Sequence, residues 1–150
     1  MTQGRFFEPA SGILTREAFN FMADHQLRYA QRTQEFVTLV VITAERESRE
    51  LLVAADEWMM RELGRVIRCV VRNTDLIGRT ADGTLCLLLS GIDTGRAARV
   101  IERLHEHLGR YRTSPLQINV GAACCPTHAS CSDELFRQAL SSRTPRLEKR

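Results

Sequence analysis

The stretch that most limits what this chain can become is Asp75-Leu76-Ile77-Gly78-Arg79-Thr80-Ala81-Asp82-Gly83-Thr84-Leu85-Cys86-Leu87-Leu88-Leu89. Two apolar runs flank Ala81-Asp82-Gly83. Asp-Gly between such runs predicts a β-hairpin, because the tight turn needs a positive φ that glycine adopts without a Cβ clash. The second run, residues 85–89, is almost wholly apolar, the pattern of a strand covered on both faces. Such a turn presents backbone and short side chains at a sheet edge, within reach of a phosphate or a metal. It carries one carboxylate, Asp82, followed by Gly83 and Thr84.

The rest of the chain arranges itself around that hairpin. Residues 1–15 hold Gly4, Pro9 and Gly12 without a period and read as an N-terminal arm. Thr15 is placed to cap a helix, with Glu17 in its first turn, where a carboxylate suits the helix dipole. Phe19, Met22, Ala23, Leu27 and Ala30 fall on one face of that helix, which fades near Thr33. Residues 36–43 are short and rich in β-branched side chains, as in a buried strand. Leu51, Leu52, Ala55, Trp58, Met59, Leu63, Val66, Ile67 and Val70 recur at three and four and predict the longest helix. Gly64 interrupts it, at about 1 kcal/mol against Ala.

After the hairpin, Asp93 or Thr94 caps a helix carrying Ala97, Ala98, Ile101, Leu104 and Leu108. Residues 116–123 read as a strand. Ser132 is expected to cap a last helix with Leu135, Phe136, Ala139 and Leu140 inward, stopped by Pro145. Residues 16–142 form the domain and residues 143–150 a polar tail. Without the outer helices the order is β-α-β-β-α-β, with the hairpin as its middle pair. The expected class is α+β: a ferredoxin-like antiparallel sheet with helices packed on it, plus N- and C-terminal helices.

A length of 150 residues suits one domain with its own core. The formal charge of +3 is mild, and the arginines are spread along helices as a solvated surface. Nucleic-acid binding usually shows a concentrated basic face, so no nucleic-acid partner is expected. No apolar run approaches the ~20 residues of a membrane span, and the first residues lack a secretory core. The chain reads as cytoplasmic, alone or as a piece of something larger. The five cysteines are Cys69, Cys86, Cys124, Cys125 and Cys131. Cys69 and Cys86 read as core fillers. Residues 125–131 invite a zinc reading but lack a second ligand pair at zinc spacing, so a loop with incidental thiols is preferred. His105 and His107 have no nucleophile or ligand partner in sequence and read as surface residues.

In this order and spacing the chain resembles the GGDEF domain family, the diguanylate cyclases. Residues 8–19, with Gly12, Arg16 and Phe19 in register, look like the family's opening D-P-L-T-G-L-x-N-R-R-x-F. Arg61-Glu62-Leu63, Arg72, Asp75 and Arg79 stand where the family has its long helix and the approach to its signature. Asn119-Val120-Gly121-Ala122-Ala123 resembles the late S-I-G-V-A strand. The resemblance implies a domain in which two protomers each hold one GTP and join them into cyclic di-GMP. It also implies an acidic pair after the glycines and an Asp ending the first strand, which together hold divalent metal.

Here the signature is degenerate: G-G-D-E-F falls on Ala81, Asp82, Gly83, Thr84 and Leu85. The first-strand Asp falls near Thr43, and the next carboxylate is Glu45. Magnesium takes hard oxygen ligands, mostly carboxylates, phosphates and water, and phosphoryl transfer depends on that metal. Residues 46–57 offer no Asn where the family reads its base; Asp56-Glu57 overlays the family's Gly-Asp without the glycine. No catalytic residue, metal or cofactor is therefore expected.

One feature implied by the resemblance survives. Arg72-Asn73-Thr74-Asp75 matches the family's inhibitory R-x-x-D, which would clamp cyclic di-GMP. Arg offers a planar fork to guanine or phosphate, and Asp accepts from guanine N–H groups. The plain alternative is that Arg72 serves a helix C-terminus and Asp75 starts a turn. The expected function is a catalytically inactive regulatory or effector-binding module of cyclic di-GMP signalling. Its expected partners are cyclic di-GMP, a protein or neighbouring signalling domain, and a second copy as homodimer. The alternative is a protein-interaction domain without nucleotide binding; an active cyclase ranks last.

Overall fold

The computed structural model describes residues 13–110 and 116–145. In order they form α1 (Arg16–Thr33), β1 (Val37–Ser48), β2 (Leu51–Ala54), α2 (Glu57–Val70), β3 (Leu76–Ala81) and β4 (Thr84–Ser90). Then come α3 (Thr94–Arg110), β5 (Leu116–Cys125), α4 (Ser132–Ser141) and β6 (Thr144–Pro145). One six-stranded antiparallel sheet runs β3-β4-β1-β5-β6, with β2 paired to the far end of β1. The expected β-α-β-β-α-β order is present with both outer helices. The hairpin is the middle pair in sequence but the outer pair in space, with β3 at the edge and β1 central.

Strand alternation decides which helix covers which face. Val40, Ile42 and Ala44 of β1 pack with Met60, Leu63 and Ile67 of α2 and Ala97 and Leu104 of α3. Leu39 and Val41 point the other way, onto Phe19, Ala23 and Leu27 of α1 and Leu135 and Ala139 of α4. The sheet is thus the middle of three layers. β4 is buried from Thr84 to Leu89, as expected of a strand with helices on both sides.

Caps set the helix starts. The Thr15 hydroxyl accepts from Ala18 N at 3.4 Å, and Asp93 Oδ1 accepts from Arg96 N at 3.0 Å. Ser132 does not cap α4: it is the first helical residue, and Cys131 precedes it without a side-chain cap bond. Of the expected arm, residues 1–12 lie outside the described residues. Ile13 and Leu14 are buried, and Leu14 pairs with Gly78 through Leu14 N to Ile77 O and Arg79 N to Leu14 O. Gly64 has a packing reason: a Cβ there would strike Ile13 Cδ1. Of the expected tail, residues 146–150 lie outside the described residues, and Thr144–Pro145 pairs with Val120 and Asn119 of β5.

The stretch read as the start of the longest helix is different. β1 runs on to Ser48, turns at Arg49 and Glu50 with φ of 53° and 68°, and returns as β2. The helix begins only at Glu57, and α1 and α3 are both longer than α2. Leu51 and Leu52 happened to fall in phase with the helical face, yet they are 68% and 53% exposed.

Candidate functional site

The tip of the β3–β4 hairpin forms as the Asp-Gly pair requires. Gly83 has φ of 66°, and the register slips between Arg79 and Ala81 as in a bulged turn. The turn is held by the chain itself. Ala44 N donates to Gly83 O at 2.8 Å, and Ala55 N donates to Ala44 O at 3.0 Å. Ala44 is therefore the joint between two hairpins. A Cβ on Gly83 would meet Ala44 O at 2.8 Å and Ala54 Cβ at 3.0 Å. The backbone face of the glycine is packed against β2.

The two positions expected to carry acids come together. Thr43 of β1 pairs directly with Thr84 of β4, and on its other side with Asn119 of β5. Residues paired across antiparallel strands share a face, so Thr84, Thr43 and Asn119 form a polar row at the end of the apolar sheet. Thr43 is 9% and Thr84 8% exposed. The Thr84 hydroxyl donates to Asp82 O at 3.3 Å. Onto Thr43 comes a side chain that the sequence alone did not single out: Arg143 Nη1 donates to Thr43 Oγ1 at 3.2 Å. Its Nε donates to Leu140 O at 3.0 Å, which anchors the stem to the last turn of α4. α4 reaches this place because Gly121 lets it approach. A Cβ there would strike Ala139 O and meet Arg143 N at 2.8 Å and Ser142 Oγ at 2.9 Å. The Ser142 hydroxyl accepts from Ala122 N at 3.0 Å and closes the contact.

This donor set does not suit a divalent ion. Two hydroxyls stand where the family resemblance implies acids, Asn119 adds an amide, and a guanidinium already stands on the central hydroxyl. A doubly charged ion about 4 Å from that guanidinium would meet a repulsion of roughly 8 kcal/mol at an effective dielectric of about 20. Two acids near the hairpin tip are already engaged. Asp56 caps α2, accepting from Met59 N at 2.9 Å. Glu57 pairs bidentately with Arg79 at 3.1 and 2.8 Å. Hydrogen bonding to Arg79, then its charge, holds the Glu57 carboxyl below its usual range. Among the described residues no group of three or more His, Cys, Asp or Glu is gathered as a metal site requires. The Cys125–Cys131 stretch is a mostly exposed loop that folds back on its own backbone: His128 Nδ1 accepts from Cys124 N at 2.8 Å. Burial pushes the Cys86 thiol up to about 12.

Arg72 and Asp75 lie at the opposite end of the hairpin, where α2 passes into β3, and they face each other. Asp75, 5% exposed, accepts from Arg72 N at 3.0 Å, Arg72 Nε at 3.3 Å and Arg72 Nη2 at 2.9 Å. Nη2 also donates to Ser90 O at 2.9 Å. Half of the Arg72 side chain remains accessible. Among the described residues there is also a groove of about 620 Å³ between α1 and α4, with Phe19, Leu39 and Leu88 within and Arg16, Asp24 and Arg137 around it. Neither the threonine row nor the Arg72–Asp75 pair lines it.

The fold recurs in solved structures. The GGDEF domain of TpbB (YfiN) from Pseudomonas aeruginosa has a TM-score of 0.76 at 20% identity, covering 91% of this chain and 85% of that one. The FimX GGDEF domain from the same organism has a TM-score of 0.78 at 15% identity, covering 93% and 91%. The DgcB GGDEF domain from Caulobacter crescentus, solved in complex with c-di-GMP, has a TM-score of 0.71 at 13% identity, covering 94% and 87%. At these identities the likeness is one of fold. No curated protein matches by sequence. The family model for the diguanylate cyclase GGDEF domain matches residues 6–142, and with that match the chain belongs to the GGDEF family.

Proposed function

We propose that this chain is a catalytically silent GGDEF domain that serves cyclic di-GMP signalling as a regulatory or effector-binding module. The observation that carries this reading is the trio Thr43, Thr84 and Arg143: hydroxyls where a metal needs anions, with a fixed cation beside them. Phosphoryl transfer depends on metal and on positioning, and this set supplies little toward the first. Incubation with GTP and magnesium followed by chromatography tests it. No cyclic di-GMP is expected, and its formation would overturn the assignment.

The effector would be cyclic di-GMP at Arg72 and Asp75. Half of the Arg72 side chain is accessible, which leaves a guanidinium edge for a guanine or a phosphate. Titration calorimetry with cyclic di-GMP, repeated on Arg72→Ala, tests this part. Absence of heat at high micromolar ligand, or heat unchanged in the variant, would remove it.

A second reading, an interaction domain without nucleotide, draws support from the same pair. Arg72 and Asp75 satisfy each other and Ser90 O, so a ligand must compete with existing bonds. Leu51, Leu52 and Trp58 are exposed apolar side chains on β2 and the first turn of α2, contact points open to a protein partner. Retained folding with no response to either nucleotide would favour this reading.

A further inference from the structure

We propose that the free edge of β2 is a pairing site for an extended segment of a partner protein. The segment adds to the sheet as an antiparallel strand, with Lys or Arg at alternate positions and apolar residues between them. The inference goes beyond the regulatory reading and holds whether or not a nucleotide binds.

Three observations carry it. The first is that β2 lacks a guard. Elsewhere the outer strands have one. Leu14 lies along β3, with Leu14 N donating to Ile77 O at 2.9 Å and Arg79 N to Leu14 O at 3.0 Å. On the outer side of β5, Ala122 bonds through N and O to the Ser142 hydroxyl, and Cys124 bonds through N and O to His128. β6 ends at Pro145, which has no N–H to offer. β2 pairs with β1 alone, and Leu51-Leu52-Val53-Ala54 holds no proline, glycine or charge. An edge strand without such a device is a template for another chain.

The second observation is where its backbone points. Ala55 N donates to Ala44 O at 3.0 Å. Bonded and unbonded pairs alternate along an antiparallel ladder, so Val53 and Leu51 also bond toward β1, while Leu52 and Ala54 turn N–H and C=O outward. Both are exposed, and among the described residues no backbone bond from another element meets them. The strand is already fixed by Ala55 on Ala44 and by Ala54 against Gly83, so pairing orders little on this side.

The third is charge. Leu52 and Ala54 share a face with their cross-strand partners Glu47 and Glu45. Neither carboxylate has an ion partner among the described residues. Residues 45–57 hold five carboxylates against Arg46 and Arg49, and Asp82 adds another at the adjoining hairpin tip. The cations brought by other elements are Arg79 and Arg61, both beside Glu57, and Arg143 on Thr43. Arg46 lies with Val53 on the opposite face. An incoming residue opposite Leu52 or Ala54 stands two strand spacings, about 10 Å, from a glutamate. A lysine or arginine stem laid over those apolar side chains spans that gap. The residues between fall on the side of Leu51 and Val53, where an apolar side chain fits.

The test is fluorescence anisotropy of the full chain with a labelled peptide of alternating lysine and valine, at low ionic strength. This peptide is expected to bind, a glutamate–valine peptide of equal length is not, and salt should weaken the complex. N-methylation at the lysines, whose backbone would face Leu52 and Ala54, should abolish binding, whereas N-methylation at the valines should leave it. Leu52→Pro removes an outward N–H without touching a β1–β2 bond and should weaken binding about tenfold or more. Glu45→Gln/Glu47→Gln should weaken it severalfold. Melting curves followed by circular dichroism confirm that the variants fold, and the methylated peptides probe the edge with the parent chain unaltered. Absence of binding by the lysine peptide, equal binding by the acidic peptide, indifference to methylation at the lysines, or unchanged binding by folded Leu52→Pro would overturn the proposal. So would a dimer of the chain, seen in sedimentation and dissolved by Leu52→Pro, which would give the edge to a second copy. No nucleotide enters these measurements, so cyclic di-GMP formation bears on the silent reading alone.

Discussion

Thr43 on β1 and Thr84 on β4 are direct cross-strand partners, and Arg143, a hundred residues along the chain from Thr43, touches that hydroxyl at 3.2 Å. Restoring acids at the two threonines should therefore not restore a metal site. In Thr43→Asp/Thr84→Glu the new aspartate will pair with the guanidinium. Magnesium should raise the melting temperature only when Arg143→Ala is added. At about ten times the dissociation constant, binding stabilises by about 1.4 kcal/mol, a shift of a few degrees at this size. Melting curves with and without magnesium on the double and triple variants measure it; an equal shift in both would show that Arg143 does not control the site.

Gly64 and Gly121 both sit where a Cβ would collide, but the colliding atoms differ. At Gly64 the obstacle is the tip of the Ile13 side chain, which can rotate; at Gly121 it is the backbone and Ser142 at the end of α4. Gly64→Ala should stay within about 1 kcal/mol of the parent, because helix propensity gains about as much as repacking costs. Gly121→Ala should cost about 1–3 kcal/mol and displace Arg143. Urea denaturation of the two variants side by side measures the difference, and equal costs would contradict the packing described.

The Arg72–Asp75 pair carries stability whether or not a ligand comes. Asp75 is buried and receives three bonds from one residue. Arg72→Ala leaves that carboxylate with a single backbone donor and should cost about 1–3 kcal/mol without any nucleotide present. A neutral Arg72→Ala in chemical denaturation would mean that the pair is not formed in solution.

Glu57 gives a pH-dependent contribution of known sign. Its carboxyl is held below the usual range by Arg79, so the folded state binds the proton less readily than the unfolded chain. The stabilisation is present above the unfolded value, about 4.3, and is lost as the pH falls through the lower folded value. Glu57 is largely exposed while Arg79 is mostly covered, and an exposed pair contributes about 1 kcal/mol or less. Glu57→Gln should thus be less stable than the parent at neutral pH, and the two should converge in acid. A constant gap across denaturation curves at several pH values would rule out the ion pair as its source.

Much of this was legible from residue types and spacing. Asp82-Gly83 announced the hairpin, Thr15 announced a helix start, the β-branched run 36–43 announced a buried strand, and the apolar run 85–89 announced a strand covered on both faces. The family resemblance set Thr43 and Thr84 against acid positions, and the structure makes the two residues cross-strand partners. Arg143 was not legible, because its place depends on how closely α4 can approach Gly121, a contact between distant segments. Cys131 and Ser132 differ by one residue at a helix start, which pattern alone does not resolve.

The hairpin at Arg49-Glu50 was the largest misreading, and it yields the sharpest test. Both residues adopt positive φ, 53° and 68°, where side chains other than Gly, Asn and Asp are strained by about 1–2 kcal/mol each. The turn lacks the Asn-Gly or Asp-Gly signal, while Leu51 and Leu52 keep helical phase with Ala55 and Trp58, so periodicity pointed to a helix. The two conformations respond to substitution with opposite sign. Arg49→Asn/Glu50→Gly supplies the residues that a two-residue turn prefers and should stabilise the chain by about 1 kcal/mol. In a helix the same glycine would cost about 1 kcal/mol. A rise in the urea midpoint of this double variant supports the β1–β2 hairpin, and with it the packing of Ala54 against Gly83; a fall supports a helix running through residues 49–56 and leaves the hairpin tip uncovered.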